Sequence, residues 1–166
     1  MTNNVGSIVS VGIAGIHVVS APLILRTVGL GSCVGLVLFD STIKAAAMAH
    51  IMLPDSSIAR GTVEKPGKFA DTAVAELVKM LTRKGADVKR LKAKMAGGAM
   101  MFSFTTMKEA AAIGKRNVEA IEAQLNKYGI RKVSAKVGGN KGRTVEFDVE
   151  SEIMRVRTVN EGVVEI

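Results

Sequence analysis

Two segments of the sequence carry apolar residues at helical spacing, i, i+3, i+4 and i+7. The first run follows Asp71 and is stopped by Gly85. The second begins at Thr106, has Glu109 at the third position of a capping box, and ends at Gly129. The inner face of the first consists of Val74, Leu77, Val78 and Leu81. That of the second comprises Ala110, Ile113 or Gly114, Asn117 or Val118, Ile121 and Leu125. We therefore predict two long amphipathic helices.

Short apolar and β-branched runs fill most of the remaining sequence and predict strands. The segment 7–19 is interrupted by Gly12 and Gly15, which favours one bulged strand. Gly138 and Gly139 could be taken for a phosphate loop, but they lack Walker spacing and precede a strand, so we expect a hairpin turn. The other predicted strands are 23–27, 34–39, 45–53, 92–96, 132–137, 144–149 and 153–159. Many strands and two covering helices indicate a layered α/β or α+β fold.

The composition narrows the class of protein. The 166 residues predict one domain, 1–166, and 48% hydrophobic residues suffice for one core. The N-terminus lacks the basic start and apolar core of a signal peptide, and no apolar run reaches the length of a membrane span. A single cysteine forms no internal disulfide. We therefore expect a cytoplasmic protein without membrane insertion.

A net charge of +8 is typical of proteins that bind nucleic acid. The basic residues are scattered, and the chain has one Tyr and no Trp, so it lacks the aromatic interleaving that stacks bases. We expect no nucleic-acid binding, and we interpret the charge as attraction to an acidic protein partner.

One cysteine and one histidine suggest nucleophilic catalysis. Cys33 follows the glycine-rich Gly29-Leu30-Gly31-Ser32, and His50 lies 17 positions later in another apolar run. If these runs form a hairpin centred between Ser41 and Thr42, Cys33 and His50 lie directly opposite each other, with Cβ atoms about 4.5–5.5 Å apart. The imidazole would then take the thiol proton and hold the thiolate as an ion pair.

Neighbouring residues extend this hypothesis. Glycines leave the sulfur approachable, and backbone N–H groups of Gly31, Ser32 and Cys33 are candidates for stabilising an oxyanion. The Thr27 hydroxyl is a candidate for orienting the imidazole. The alternative stays open, because a lone cysteine in an apolar strand is often a buried small hydrophobe and a lone histidine is often structural. One cysteine and two histidines give no zinc pattern, so we expect no metal or cofactor.

A further apolar cluster follows the glycine pair 97–98. Met100, Met101 and Phe102 lie in a short crossing before the second helix, where alternating side chains leave at least one exposed. Met101 and above all Phe102 are candidates for binding a partner. Burial of this cluster in the core under the second helix is an equally good alternative.

Several motifs together resemble the CheD family of chemoreceptor glutamine deamidases. The resemblance runs from Thr27 to Asp148 and rests first on Thr27-Val28-Gly29-Leu30-Gly31-Ser32-Cys33 and His50-Ile51-Met52-Leu53-Pro54. Supporting blocks are Ala70-Asp71-Thr72-Ala73, Gly97-Gly98-Ala99-Met100-Met101-Phe102, Ile113-Gly114-Lys115-Arg116-Asn117-Val118 and Gly138-Gly139-Asn140-Lys141-Gly142-Arg143. Phe69 stands where the family often has Tyr, and Ala45-Ala46 where glycine is common.

The resemblance implies a catalytic triad of Cys33, His50 and Thr27. It implies hydrolysis of glutamine side-chain amides on methyl-accepting chemotaxis receptors, giving glutamate and ammonia and tuning chemotaxis adaptation. It also implies the CheY-phosphate phosphatase CheC as a partner. The expected fold is α/β, a single-domain three-layer α/β sandwich whose strand-rich core is mostly antiparallel or mixed. A receptor glutamyl methylesterase and a non-catalytic regulator of the phosphatase remain alternatives.

Overall fold

A computed structural model of the protein describes residues 6–101 and 112–166. Within these residues the chain forms ten β-strands and two α-helices. In chain order they are β1 Ile8–Ser10, β2 Ile16–Ser20, β3 Ile24–Leu30, β4 Val34–Asp40, β5 Ala45–Ile51, α1 Ala70–Arg83, β6 Lys92–Gly97, α2 Ile113–Tyr128, β7 Arg131–Val137, β8 Arg143–Asp148, β9 Ile153–Thr158 and β10 Gly162–Glu165. Neither described helix combines the length and the apolar character needed to cross a membrane.

The strands form two five-stranded sheets. The central sheet has the order β2-β5-β4-β6-β7, and the outer sheet has the order β1-β3-β8-β9-β10. Each sheet has one parallel pair, β6 with β7 and β1 with β3, and its other pairs are antiparallel. Both sheets are therefore mixed, as predicted.

The central sheet is buried on both faces, which makes the fold three-layered. One face of β4 and β5 packs against α1 and α2 in a cluster that we call the helix-side core; its strand residues include Val34, Leu36, Leu38, Ala47, Ala49 and Ile51. The other face packs against the outer sheet in the inter-sheet core, which includes Leu25, Val37, Phe39, Met48, Val145 and Phe147. The predicted three-layer α/β sandwich is thus confirmed.

Both helices agree with their apolar patterns where the structure describes them. The buried face of α1 contains Val74, Leu77, Val78 and Leu81, and that of α2 contains Gly114, Asn117, Ile121 and Leu125. Gly85 and Gly129 follow the helices with φ of 106° and 67°, a left-handed conformation that favours glycine. The predicted start of the second helix at Thr106 lies outside the described residues.

Two connections differ from the sequence predictions. The segment 7–19 is two strands in different sheets, because the chain turns between Gly12 and Gly15, whose backbone groups are joined by a 2.8 Å hydrogen bond. The Gly138-Gly139 segment is a crossover and no hairpin, since β7 belongs to the central sheet and β8 to the outer sheet. In both places the glycines let the chain pass between layers, which local patterns do not distinguish from a bulge or hairpin.

Candidate active site

His50 and Thr27 meet between the two sheets. His50 lies on β5 and Thr27 on β3; both side chains are buried, with 0% and 1% of their surface exposed. The Thr27 Oγ1 lies 2.7 Å from His50 Nδ1. The strand around His50 is fixed on its other edge as well, because its N–H donates to Gly15 O and its carbonyl accepts from Ala14 N, each at 3.1 Å. The imidazole is therefore held by backbone and side chain together.

The hydrogen bonds of Thr27 determine the tautomer of His50. The Thr27 hydroxyl donates its single proton to Val11 O at 2.8 Å, so its oxygen must act as the acceptor toward His50 Nδ1. Nδ1 consequently carries the proton, and Nε2 has the free lone pair. Nε2 is buried and has no hydrogen-bond partner among the residues that the structure describes. The ring is thus oriented as a base with its accepting nitrogen unoccupied.

Cys33 lies near His50, but not in the predicted register. Gly35, and not Cys33, pairs with His50 across β4 and β5. The hairpin loop spans residues 41–44 and is centred between Thr42 and Ile43, one position later than predicted. The buried Asp40 carboxylate accepts from Thr42 N at 2.9 Å inside this turn. The shift of two residues leaves Cys33 on the side of the central sheet that also carries His50, because Cys33 packs against the inter-sheet core.

The absence of a side chain at Gly35 makes room for this cluster. A Cβ atom there would lie 3.2 Å from Thr27 Cγ2 and 3.1 Å from Leu30 Cδ1. The glycines were predicted to leave the sulfur approachable; Gly35 instead makes room for Thr27 beside His50.

Residues 31–33, which we call the nucleophile loop after the candidate nucleophile Cys33, are fixed through their carbonyl groups. The carbonyls of Gly31 and Cys33 accept hydrogen bonds from Ala99 N at 2.8 Å and Gly98 N at 2.9 Å. The Ser32 carbonyl accepts from Asn117 Nδ2 at 3.0 Å. Because C=O and N–H point in opposite directions in a trans peptide, each fixed carbonyl also fixes the following N–H group.

Burial favours the neutral form of both Cys33 and His50. It raises the pKa of the Cys33 thiol, although the N–H of Cys33 itself acts in the opposite direction. It also lowers the pKa of His50. Both shifts favour the neutral thiol and neutral imidazole, and no hydrogen bond joins Cys33 to His50 among the described residues. Burial therefore favours the neutral pair over the predicted ion pair.

Comparison with known proteins places the chain in a family. A family model described as CheD chemotactic sensory transduction matches residues 52–158, more than half of the chain. Proteins named chemoreceptor glutamine deamidase CheD from Bacillus licheniformis, Halalkalibacterium halodurans and Bacillus subtilis are 49%, 48% and 42% identical to it. The alignments cover 96%, 96% and 98% of this chain and 95%, 98% and 98% of those proteins. The chain belongs to the CheD family. The resemblance found in the motifs is thereby confirmed.

The candidate partner residues of this CheD family member are described only in part. Met100 and Met101 are 49% and 45% exposed. Met101 lies against the nucleophile loop, since a Cβ atom on Gly31 would approach Met101 Cγ to 3.0 Å. Phe102 lies outside the described residues. Met101 therefore offers an exposed apolar side chain beside Gly31, two residues before Cys33.

The contacts of two buried polar residues near the nucleophile loop were not predicted, although Asn117 was a candidate for the inner face of the second helix. Asn117 occupies the inner face of α2 and contacts the Ser32 carbonyl. Arg143 is 6% exposed and donates from Nη1 to Gly97 O at 3.1 Å and Gly138 O at 2.8 Å, which ties the crossover to the end of β6. Both stand at inward positions of an otherwise apolar periodicity, and that mismatch is the pattern that could have identified them.

Among residues 6–101 and 112–166, no three His, Cys, Asp or Glu side chains lie close enough together to hold a metal ion. The titratable groups of the candidate site are the Cys33 thiol and the His50 imidazole.

Proposed function

We propose that this chain hydrolyses glutamine side-chain amides of chemoreceptors to glutamate and ammonia, with Cys33 as nucleophile, His50 as base and Thr27 as the orienting residue. One observation carries the proposal: the buried His50 has Nδ1 bound to Thr27 and Nε2 unpartnered among the described residues, on the sheet face that Cys33 shares. The names of the full-length relatives support the substrate class.

The reaction proceeds by acyl transfer. Cys33 Sγ attacks the amide carbon while its proton passes to His50 Nε2, and the carbonyl oxygen becomes an oxyanion. The tetrahedral intermediate collapses, the C–N bond breaks, and His50 returns the proton to the departing nitrogen, which leaves as ammonia. A water molecule then gives its proton to His50 and adds to the thioester. Cleavage of the C–S bond releases glutamate, and the proton returns to Cys33.

Thr27 supports both protonation states of His50. Its oxygen accepts the Nδ1 proton whether the ring is neutral or cationic, so the ring need not rotate during proton transfer. The burial that lowers the pKa of His50 keeps the base neutral near pH 7. The Cys33 N–H group is proposed to donate to the oxyanion.

The proposed partners follow from charge and exposure. A net charge of +8 suits an acidic surface on the cytoplasmic helical bundle of the receptors, and we place the protein in the cytoplasm, where deamidation tunes adaptation. Met101, exposed beside the nucleophile loop, is proposed to contact a partner, together with Phe102. CheC is proposed as a second partner on the basis of the family resemblance.

Intact mass spectrometry of a receptor cytoplasmic fragment tests this function. After incubation with the protein, we expect each converted glutamine to gain about one dalton and to release one ammonia, as amide hydrolysis requires. A parallel fragment that carries glutamyl methyl esters distinguishes the alternative, because ester hydrolysis removes about 14 daltons per site instead.

The outcomes separate the three hypotheses. Mass gain on the amide fragment supports deamidation, and mass loss confined to the ester fragment supports a methylesterase. Binding of the fragment without any mass change would contradict both hydrolases and favour a non-catalytic regulator. Cys33→Ala serves as the control in each incubation.

A further inference from the structure

We propose that Asn117 is a positioning residue for this reaction, which holds the Ser32–Cys33 peptide so that the Cys33 N–H faces the oxyanion. The inference rests on the proposed function. It concerns a residue on α2, the layer opposite to the one that supplies Thr27.

Asn117 joins the two segments that carry the reactive side chains. Its Nδ2 donates to Ser32 O at 3.0 Å and to Met52 O at 2.9 Å. Ser32 directly precedes Cys33, and Met52 follows His50 by two residues. Both partners are carbonyl oxygens, so the amide group must present its NH₂ side to them. One buried side chain thus links the nucleophile loop to the end of β5.

The contact with Ser32 sets the direction of the catalytic N–H group. Since Ser32 C=O points toward Asn117, the Cys33 N–H of the same peptide points away from it. Because α2 covers the helix side of the central sheet, that N–H is directed away from α2, toward the side on which Cys33 packs against the inter-sheet core. A hydrogen bond to the carbonyl also polarises the peptide and strengthens its N–H as a donor.

The first turn of α2 is held firmly enough for this role. Gly114 packs so closely on the segment after β6 that a Cβ atom there would lie 2.5 Å from Ala99 O. A Cβ atom on Gly98 would likewise lie 2.5 Å from Val118 Cγ2. The backbones of α2 and this segment are therefore in direct contact, and the segment also binds the carbonyls of Gly31 and Cys33.

A purely structural role for Asn117 makes a different prediction. Asn117 Oδ1 is buried without a partner among the described residues, which is destabilising, so Asn117 is not simply the most stable choice for a core position. If Asn117 only satisfied two buried carbonyls, its loss would lower stability and slow every reaction of Cys33 alike. A positioning role affects reactions that develop an oxyanion more than reactions that do not.

The test compares amide hydrolysis with alkylation in Asn117→Ala and Asn117→Asp, the second of which keeps the volume but replaces the donor. Asn126→Ala, an exposed position on the same helix, is the control. We expect kcat for ammonia release from the receptor fragment to fall about 10²-fold, at the lower end of the loss of an oxyanion donor, with KM little changed. Iodoacetamide alkylation of Cys33 forms no oxyanion, and its rate should change little.

Equal slowing of hydrolysis and alkylation, or an unchanged kcat, overturns the positioning role. Absence of ammonia release by the wild-type protein would instead contradict the proposed function, so the two failures are distinguishable.

If neither variant folds, the wild-type protein provides the test by NMR. A glutamine-derived peptide aldehyde adds the Cys33 thiol across its C=O bond, forming S–C and O–H bonds and placing an oxygen in the oxyanion position. We expect the Cys33 N–H and Asn117 Nδ2 proton resonances to shift in this adduct, and the Asn117 resonances to stay in place after alkylation by iodoacetamide. Unshifted Asn117 resonances in the aldehyde adduct overturn the proposal.

Discussion

The two buried faces of the central sheet differ in chemistry, although neighbouring residues of the same strands form them. Along β5, Ala47, Ala49 and Ile51 face the helix-side core, where aliphatic side chains of both helices cover them. Met48 faces the inter-sheet core, and His50 lies on that same side, beside Thr27. The helix side thus stabilises the fold, whereas the inter-sheet side holds the proposed catalytic groups.

The difference shows what allows polar groups to be buried. A buried polar group is costly unless it is hydrogen-bonded, and the Thr27 hydroxyl is satisfied by Val11 O and His50 Nδ1. Within the Thr27–His50 pair, His50 Nε2 has no partner among the described residues, and it is the atom that the proposed reaction uses. Substitutions on the two faces should therefore separate activity from stability.

The largest effect is expected at His50. His50→Gln should lower kcat/KM for ammonia release by about 10²–10⁴-fold, because it removes the general base. His17→Gln, an exposed histidine on the adjacent strand β2, is the matched control and should retain full activity. Comparable activity of the His50 variant and the control would refute the assigned base.

The opposite pattern is expected for Leu77 on the helix-side core. Leu77 is fully buried, so Leu77→Ala should lower the free energy of unfolding by about 2–5 kcal/mol. The protein that remains folded should keep its kcat. Urea denaturation with parallel ammonia assays checks both, and Lys79→Ala, exposed on the same helix, should change stability by less than about 0.5 kcal/mol. A large loss of kcat in folded Leu77→Ala would show that the two faces are not independent.

A smaller loss of activity is expected at Thr27. Thr27→Val keeps the shape that packs against Gly35 but removes the acceptor for His50 Nδ1, so kcat should fall by about tenfold, less than the loss of the base. Thr27→Ser keeps the hydroxyl and should retain most activity. If the valine variant equals the serine variant in kcat, the hydroxyl does not orient the ring.

The smallest effect concerns pH and stability. Burial lowers the pKa of folded His50, so the unfolded chain binds a proton more readily. Unfolding therefore takes up a proton as the pH falls below about 6.5, and stability decreases there. Urea unfolding of the wild type and His50→Gln at pH 7.5 and 5.5 checks this, because the variant should lose less stability on acidification. Equal losses would show that His50 is not held in its neutral form.

The sequence predicted the elements better than their connections. Leu77 and Ile121 belong to apolar patterns with helical spacing, and such a pattern can be recognised within a short stretch of sequence. The pairing of Gly35 with His50 depends instead on Asp40, whose carboxylate is held by Arg90 Nη2 at 2.9 Å, 50 positions away. No local pattern contains such a contact.

In the candidate site as well, local features were predicted from the sequence, whereas contacts between distant residues were not. Cys33, His50 and Thr27 were found from residue type, spacing and resemblance, and an error of two residues in the register preserved their common face because strands alternate. The link from Asn117 to Ser32 joins positions 85 residues apart, and only the folded chain brings them together.

The most direct test of the central claim is ammonia release from the receptor fragment by wild-type protein and by Cys33→Ala. Cys33 is the only cysteine of the chain, so no other thiol can replace it. The account predicts that Cys33→Ala melts cooperatively, binds the fragment and releases ammonia several orders of magnitude more slowly than the wild type. A folded Cys33→Ala protein that retains most of the activity would contradict the thiol mechanism.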